Sequence, residues 1–236
     1  MAALGSIFGN WPAPRHAAFV IVGLLAAAVS GTAGAGIDVL THADNPTIAA
    51  DTLVIRLTGP IAPPMARDLA AAWAAAGDGQ ARLLLDLDSP GGSLGEAEAL
   101  VAAIAAIRTE AQVDTLVRHG ALCASACIAI FVQGSDRAAG GASVWLFHGA
   151  CRDPGSNVPS LALTDRYLDI LREAGADDGF LCDLVAKGYV TAPGQLWLSG
   201  YELVHVHDAG IVTRLLEPWR AEPPRWPATA APMGPH

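Results

Sequence analysis

Residues 82–108 read RLLLDLDSPGGSLGEAEALVAAIAAIR: a short apolar run, a Ser-Pro-Gly-Gly turn and a long helical pattern in one unbroken stretch. The run RLLLDLD is the length of a strand and is apolar enough to be covered on both faces. Ser93 followed by Glu96 has the spacing of a capping box, and Leu94, Ala97, Val101, Ile104 and Ile107 fall on one stripe of the helix that follows. Strand, glycine turn and capped helix make half of a strand-helix-strand unit, which needs a parallel neighbour on its far side.

The same alternation continues along the chain. TLVIRLTG (52–59) reads as a strand, and PPMARDLAAAWAAAG (63–77) as a helix that stops at Gly77. QVDTLVR (112–118), ASVWLFH (142–148) and GIVTRLL (210–216) read as further strands. ACIAIFVQ (126–133), TDRYLDILREAG (164–175), the segment around DLVAKG (183–188) and YELVHV (201–206) read as helices. The expectation is an α/β fold of repeated strand-helix units with a largely parallel sheet, in one domain spanning 36–216.

The two ends read differently. Arg15 and His16 precede AAFVIVGLLAAAVSG (17–31), and Ala33 and Ala35 follow in an A-x-A arrangement. This is the layout of a secretory signal peptide over 1–35; an uncleaved N-terminal anchor is the alternative. Either places the domain outside the cytoplasm, periplasmic or secreted, with membrane contact only through an uncleaved N-terminal segment. Residues 217–236 hold six prolines and no hydrophobic periodicity, so they read as an extended tail. Formal net charge is −9 with 14 Lys+Arg, and no basic stripe interleaves with aromatics, which argues against a nucleic-acid partner.

Export changes the reading of the cysteines. Cys123, Cys127, Cys151 and Cys182 form an even set compatible with two bridges in three connectivities, or with buried free thiols. A metal set of His119, Cys123 and Cys127 is disfavoured against a disulfide, and His205, His207 and Asp208 read as a solvated loop, so no metal and no cofactor is expected.

Three places can carry chemistry. The Ser89-Pro90-Gly91-Gly92 turn is ordinary turn chemistry or, with uncovered N–H groups at a helix start, an anion or oxyanion site. Ser125, in HGALCASACIAIF (119–131), is a helix N-cap or a nucleophile. His148, ending a strand 23 residues later (148 minus 125), is a structural histidine or the base that takes the serine proton.

In order along the chain, LTGPI (57–61), DLDSPGG (86–92), CASAC (123–127), RAAG (137–140), FHG (147–149) and LSGYEL…GIV (198–212) resemble the Clp protease/crotonase superfamily, most nearly the ClpP-like serine peptidases and their exported relatives. The resemblance implies a ClpP/crotonase-like fold, Ser125 as nucleophile, His148 as general base, and oxyanion donors on the backbone of Gly91, Gly92 and Ala126. It further implies peptide or protein substrates and a homo-oligomer. The family's acidic third member falls on Gln195, a neutral amide that orients an imidazole without stabilising its charged form. Asp183 and Asp208 are substitutes in unexpected places. Two rivals stand beside the hydrolase: a non-catalytic ClpP-like scaffold or binding protein, and acyl-CoA chemistry on the same oxyanion device, which export disfavours.

Overall fold

The computed structural model describes residues 36–76, 79–152 and 158–216. The expected leader over 1–35, the tail over 217–236 and the helix stop at Gly77 lie outside the described residues.

The architecture is mixed α/β, organised by two sheets. The larger has six strands: β1 (Gly36–Leu40), β2 (Thr52–Thr58), β3 (Arg82–Asp88), β4 (Gln112–Val117), β6 (Arg137–Gly140) and β9 (Arg214–Leu216), in the order β1-β2-β3-β4-β6-β9. All neighbours are parallel except the β1–β2 pair. The smaller sheet holds β5 (Leu122–Ala124), β7 (Val144–His148) and β8 (Gln195–Ser199) in the order β5-β7-β8, with β5 parallel and β8 antiparallel to β7. The helices are α1 (Met65–Ala76), α2 (Leu94–Ile107), α3 (Ala126–Phe131), α4 (Leu161–Glu173), α5 (Asp178–Ala186) and α6 (Gly200–His205).

The apolar runs explain the core. Leu53, Ile55, Leu57, Leu83, Leu85, Leu87 and Val113 are buried and meet Leu69, Leu100 and Ile104 of α1 and α2 in one cluster. Buried leucine, isoleucine or valine contributes roughly 1.5–3 kcal/mol each relative to exposure, so this layer is the main source of stability. Helix α3 is buried along its whole length, from Ala126 to Phe131, and Phe131 packs edge-on against Trp145 of β7 with ring centroids 4.8 Å apart. The smaller sheet is thereby fixed to the larger one through α3.

Several expectations need correction. ASVWLFH forms a strand over 144–148, but in the smaller sheet; the fourth parallel strand of the larger sheet is the four-residue RAAG segment, too short for periodicity to reveal. Strands β1, β5 and β8 were also not expected, for the same reason of length or because charged and polar residues interrupt them. The Ser93–Glu96 capping box is half formed. Ser93 Oγ accepts from the Glu96 N–H, but the Glu96 carboxylate accepts instead from the Ala66 N–H at 2.7 Å, satisfying the start of α1. The complete box is at Ser199 and Glu202.

One charged cluster sits within the sheet. Asp86, 3% exposed, receives Arg56 Nε at 2.8 Å and Arg118 Nε at 2.8 Å, joining β2, β3 and the end of β4. Hydrogen bonding to Asp86 raises the Arg56 guanidinium above its ordinary value. Replacing Asp86 by asparagine leaves two guanidinium groups sharing one neutral amide. Asp86→Asn is expected to lower unfolding free energy by about 3 kcal/mol, read as an earlier urea midpoint at unchanged slope. An unchanged midpoint would show that hydration of the two arginines replaces the carboxylate.

Candidate active site

The DLDSPGG stretch is used residue by residue. Asp86 takes the two arginines, and Asp88 Oδ1 accepts from the Leu122 N–H at 3.0 Å, setting the start of β5. Ser89 bridges in parallel to Cys123: its N–H donates to Leu122 O at 2.7 Å, and its carbonyl accepts from the Ala124 N–H at 3.0 Å. The buried Ser89 hydroxyl donates to Gly59 O at 2.7 Å and accepts from the Gly91 N–H at 3.1 Å. The turn is thus stitched to β5 immediately before Ser125.

Gly91 then comes against Ser125 itself. It has φ 85°, and a Cβ there would lie 2.5 Å from Ala124 O and 2.8 Å from Ser125 Cβ. No side chain fits, and the backbone conformation is one that L-residues avoid. Gly92, at φ 152°, is equally confined, its missing Cβ directed into the Ile61 backbone. Ile61 N–H donates to Gly91 O at 2.8 Å and Ile61 O accepts from the Ser93 N–H at 2.8 Å, so the LTGPI segment holds the turn from its other side.

Ser125 stands between β5 and α3 at φ 54°, ψ −123°, a sparsely populated conformation for a non-glycine residue. It occupies the N-cap position of α3, yet its hydroxyl makes no capping hydrogen bond. Capping therefore does not explain this serine. A strained strand-to-helix turn lifts a side chain out of the sheet toward solvent, the geometry used to present nucleophiles. Its N–H donates to Leu146 O at 2.8 Å, continuing the β5–β7 ladder and seating Ser125 beside the strand that ends on His148.

A disulfide closes around the serine. Cys123 and Cys127, both fully buried, are bridged, so the ring runs Cys123-Ala124-Ser125-Ala126-Cys127. None of the three two-bridge connectivities is complete: this one bridge forms, and Cys151 and Cys182 are free thiols. The bridged sulfurs are unavailable as thiolate ligands, and His119 Nδ1 accepts from the Ala142 N–H at 3.3 Å. His205 lies tilted against the Tyr201 ring, and His207 meets the Phe180 ring edge-on.

Ser125, Ala126, Gly92, His148 and Gln195 all line one open cleft of about 880 Å³. Among the described residues, no hydrogen bond takes the N–H of Gly92 or of Ala126, whereas Gly91's is held by Ser89. The His148 ring meets Gly149 O through Nδ1 at 2.9 Å; a carbonyl only accepts, so Nδ1 carries the proton and Nε2 is left as the basic nitrogen. Gln195 is the register partner of His148 on β8 and is exposed. No hydrogen bond joins Ser125 Oγ to His148, or His148 to Gln195, among the described residues. Asp183 is paired with Lys187 at 2.7 Å, and neither it nor Asp208 lines the cleft. Sequence reasoning missed the Gly149 carbonyl as the imidazole's partner, since any residue supplies a carbonyl.

No protein-family model matches the chain, and no curated protein matches it by sequence. Among solved structures it is similar to the ClpP protease catalytic domain from Plasmodium falciparum, with a TM-score of 0.55 and 18% sequence identity over 73% of this chain and 89% of that one. The fold is therefore ClpP-like.

Two thiols of the native, oxidised protein are expected to react with an alkylating reagent, Cys151 and Cys182, and all four after reduction in denaturant. Four reactive thiols without reductant would contradict the bridge. Replacing both Cys123 and Cys127 by serine is expected to cost about 2 kcal/mol in chain entropy for so short a loop, read from the denaturant midpoint.

Proposed function

We propose that this chain is an exported ClpP-like serine peptidase acting on peptide or protein substrates. The observation that carries the reading is Ser125: an uncapped hydroxyl on a strained strand-helix turn, facing the cleft that His148 and the free Gly92 and Ala126 N–H groups share. The Ser125 hydroxyl loses its proton to His148 Nε2 as Oγ attacks the scissile carbonyl. The Gly92 and Ala126 N–H groups take the developing oxyanion. His148 returns the proton to the departing amine, leaving an acyl-enzyme. Water then attacks with His148 again as base, releasing the acid and free Ser125. Hydrogen bonds of this kind are often long without substrate and tighten in the complex.

The base is a dyad rather than a charged triad. Gly149 O fixes the tautomer, and Gln195 stands where the acid would be, so the imidazolium lacks a carboxylate and turnover is slow. Export is supported by the N-terminal sequence and by a disulfide, which persists in oxidising compartments. Self-association is supported by the family resemblance and by exposed Trp197, Tyr201 and Val206. A second reading, a non-catalytic ClpP-like scaffold, is favoured by one observation: among the described residues, no carboxylate lines the cleft.

A fluorophosphonate probe separates the two. Wild type is expected to label and Ser125→Ala not to; absence of Ser125-dependent labelling from mildly acid to alkaline pH rules out the hydrolase. Gln195→Glu is expected to raise kcat/KM at neutral pH by on the order of tenfold, by placing a carboxylate opposite His148. No gain would show that the Gly149 carbonyl alone governs the imidazole.

A further inference from the structure

The Cys123–Cys127 bridge lies on the core side of the turn that carries Ser125. Both cysteines are fully buried in the main apolar cluster and neither lines the cleft, whereas Ser125 and Ala126 between them do. The flanking elements are anchored without the bridge: β5 pairs with β7 and bridges to Ser89, and α3 is buried along its whole length. What lies between them has no such side-chain anchor. Ala124 and Ala126 offer only methyl groups, and Ser125 holds φ 54°, ψ −123°, a region that glycine enters freely and other residues only at a cost. Gly91 leaves room for that conformation, and the covalent ring closes it, with the two cysteine Cα atoms 5.3 Å apart.

A serine at this place has an ordinary alternative. With extended backbone angles, its hydroxyl would accept an N–H of the first turn of α3, the capping role that its residue type favours and that the present conformation gives up. A turn with two such states is biased by whatever contact favours one of them. We propose that the bridge is the positioning element of the nucleophile: with the two sulfurs joined, Ser125 is held uncapped at the cleft, and with them reduced the fold remains while the serine relaxes into capping α3. Bridge formation takes two protons and two electrons from the thiols, and an external disulfide accepts them to become two thiols. Because both cysteines are buried in the finished fold, this exchange belongs to folding rather than to the folded protein. The chain therefore gains a reactive serine only where it folds in an oxidising compartment, and a copy folded in a reducing one stays silent. Calling Ser125 a nucleophile rests on the serine-peptidase reading.

The test compares wild type with Cys123→Ala/Cys127→Ala in two measurements. The first is the rate of fluorophosphonate labelling at Ser125. The double variant is expected to label about 100-fold more slowly at unchanged circular dichroism, with the loss in kcat rather than KM on a peptide substrate. Wild type refolded in dithiothreitol is expected to match the variant and to recover when refolded with glutathione disulfide, whereas the variant responds to neither. The second measurement needs no catalysis. Ser125→Gly relieves the positive φ and is expected to raise the urea midpoint of the bridged protein. In the unbridged variant the same change is expected to lower the midpoint, because there it removes a cap and frees the unfolded chain. Labelling of the double variant within about threefold of wild type, or the same midpoint shift from Ser125→Gly in both backgrounds, would overturn the proposal. So would a double variant that does not fold, since the bridge would then serve the whole fold. No labelling of wild type, with the two midpoint shifts opposite in sign, would overturn the peptidase reading and leave the positioning role standing.

Discussion

Two turns are pressed backbone to backbone, and the rest of the site depends on that contact. Gly91 approaches Ala124, Ser125 and Ala126 too closely for any side chain, while Ser89 stitches the same turn to β5 through two backbone hydrogen bonds. The consequence is chemical. Among the described residues, Gly92 N–H from one turn and Ala126 N–H from the other are left without acceptors, and both residues line one cleft with Ser125. Everything around the contact defends it. Asp86 and its two arginines fix the strand below, Asp88 fixes the start of β5, Ile61 holds the turn from outside, and the Cys123–Cys127 bridge closes the ring around Ser125.

Much of this was legible in the sequence because it rests on local grammar. The leucine-rich run of β3, the Pro-Gly-Gly turn and the amphipathic stripe of α2 are each readable from spacing alone, and their order restricts the topology to parallel crossovers. What was not legible depends on distant partners. RAAG forms a strand only because β4 and β9 flank it, and LCA only because β7 lies beside it. Glu96 abandons its own helix for Ala66 because α1 brings an unsatisfied N–H within reach, which no i,i+3 rule contains. Ser125 is the sharpest case. Its residue type and position say cap, whereas its backbone angle, set by the turn against Gly91, says otherwise.

Under the proposed peptidase reading, the relay behind His148 is incomplete for a structural reason. His148 and Gln195 face each other across an antiparallel ladder, so the orienting position is filled, but by an amide. Orientation of the ring passes to the Gly149 carbonyl. A backbone carbonyl selects the tautomer with a partial charge rather than a full one, so the arrangement retains directionality while giving up part of the electrostatic stabilisation. On the proposed reading, such a site would attack activated or tightly positioned carbonyls more readily than unstrained amides, which would make substrate positioning by the cleft walls correspondingly important.

Convergence of Ser125 and His148 on one bound carbonyl is the central claim. A peptidyl chloromethyl ketone tests it directly, because addition of the Ser125 hydroxyl to its carbonyl holds the chloromethyl carbon against His148, whose ring nitrogen displaces the chloride, whereas alkylation of the free thiols Cys151 and Cys182 needs no serine. Tandem mass spectrometry of the digest is predicted to find His148 carrying the inhibitor through an N-alkyl bond in wild type and unmodified in Ser125→Ala, since the serine hemiketal reverts when the protein unfolds. No alkylation of His148, or equal alkylation of His148 in wild type and Ser125→Ala, would contradict the account.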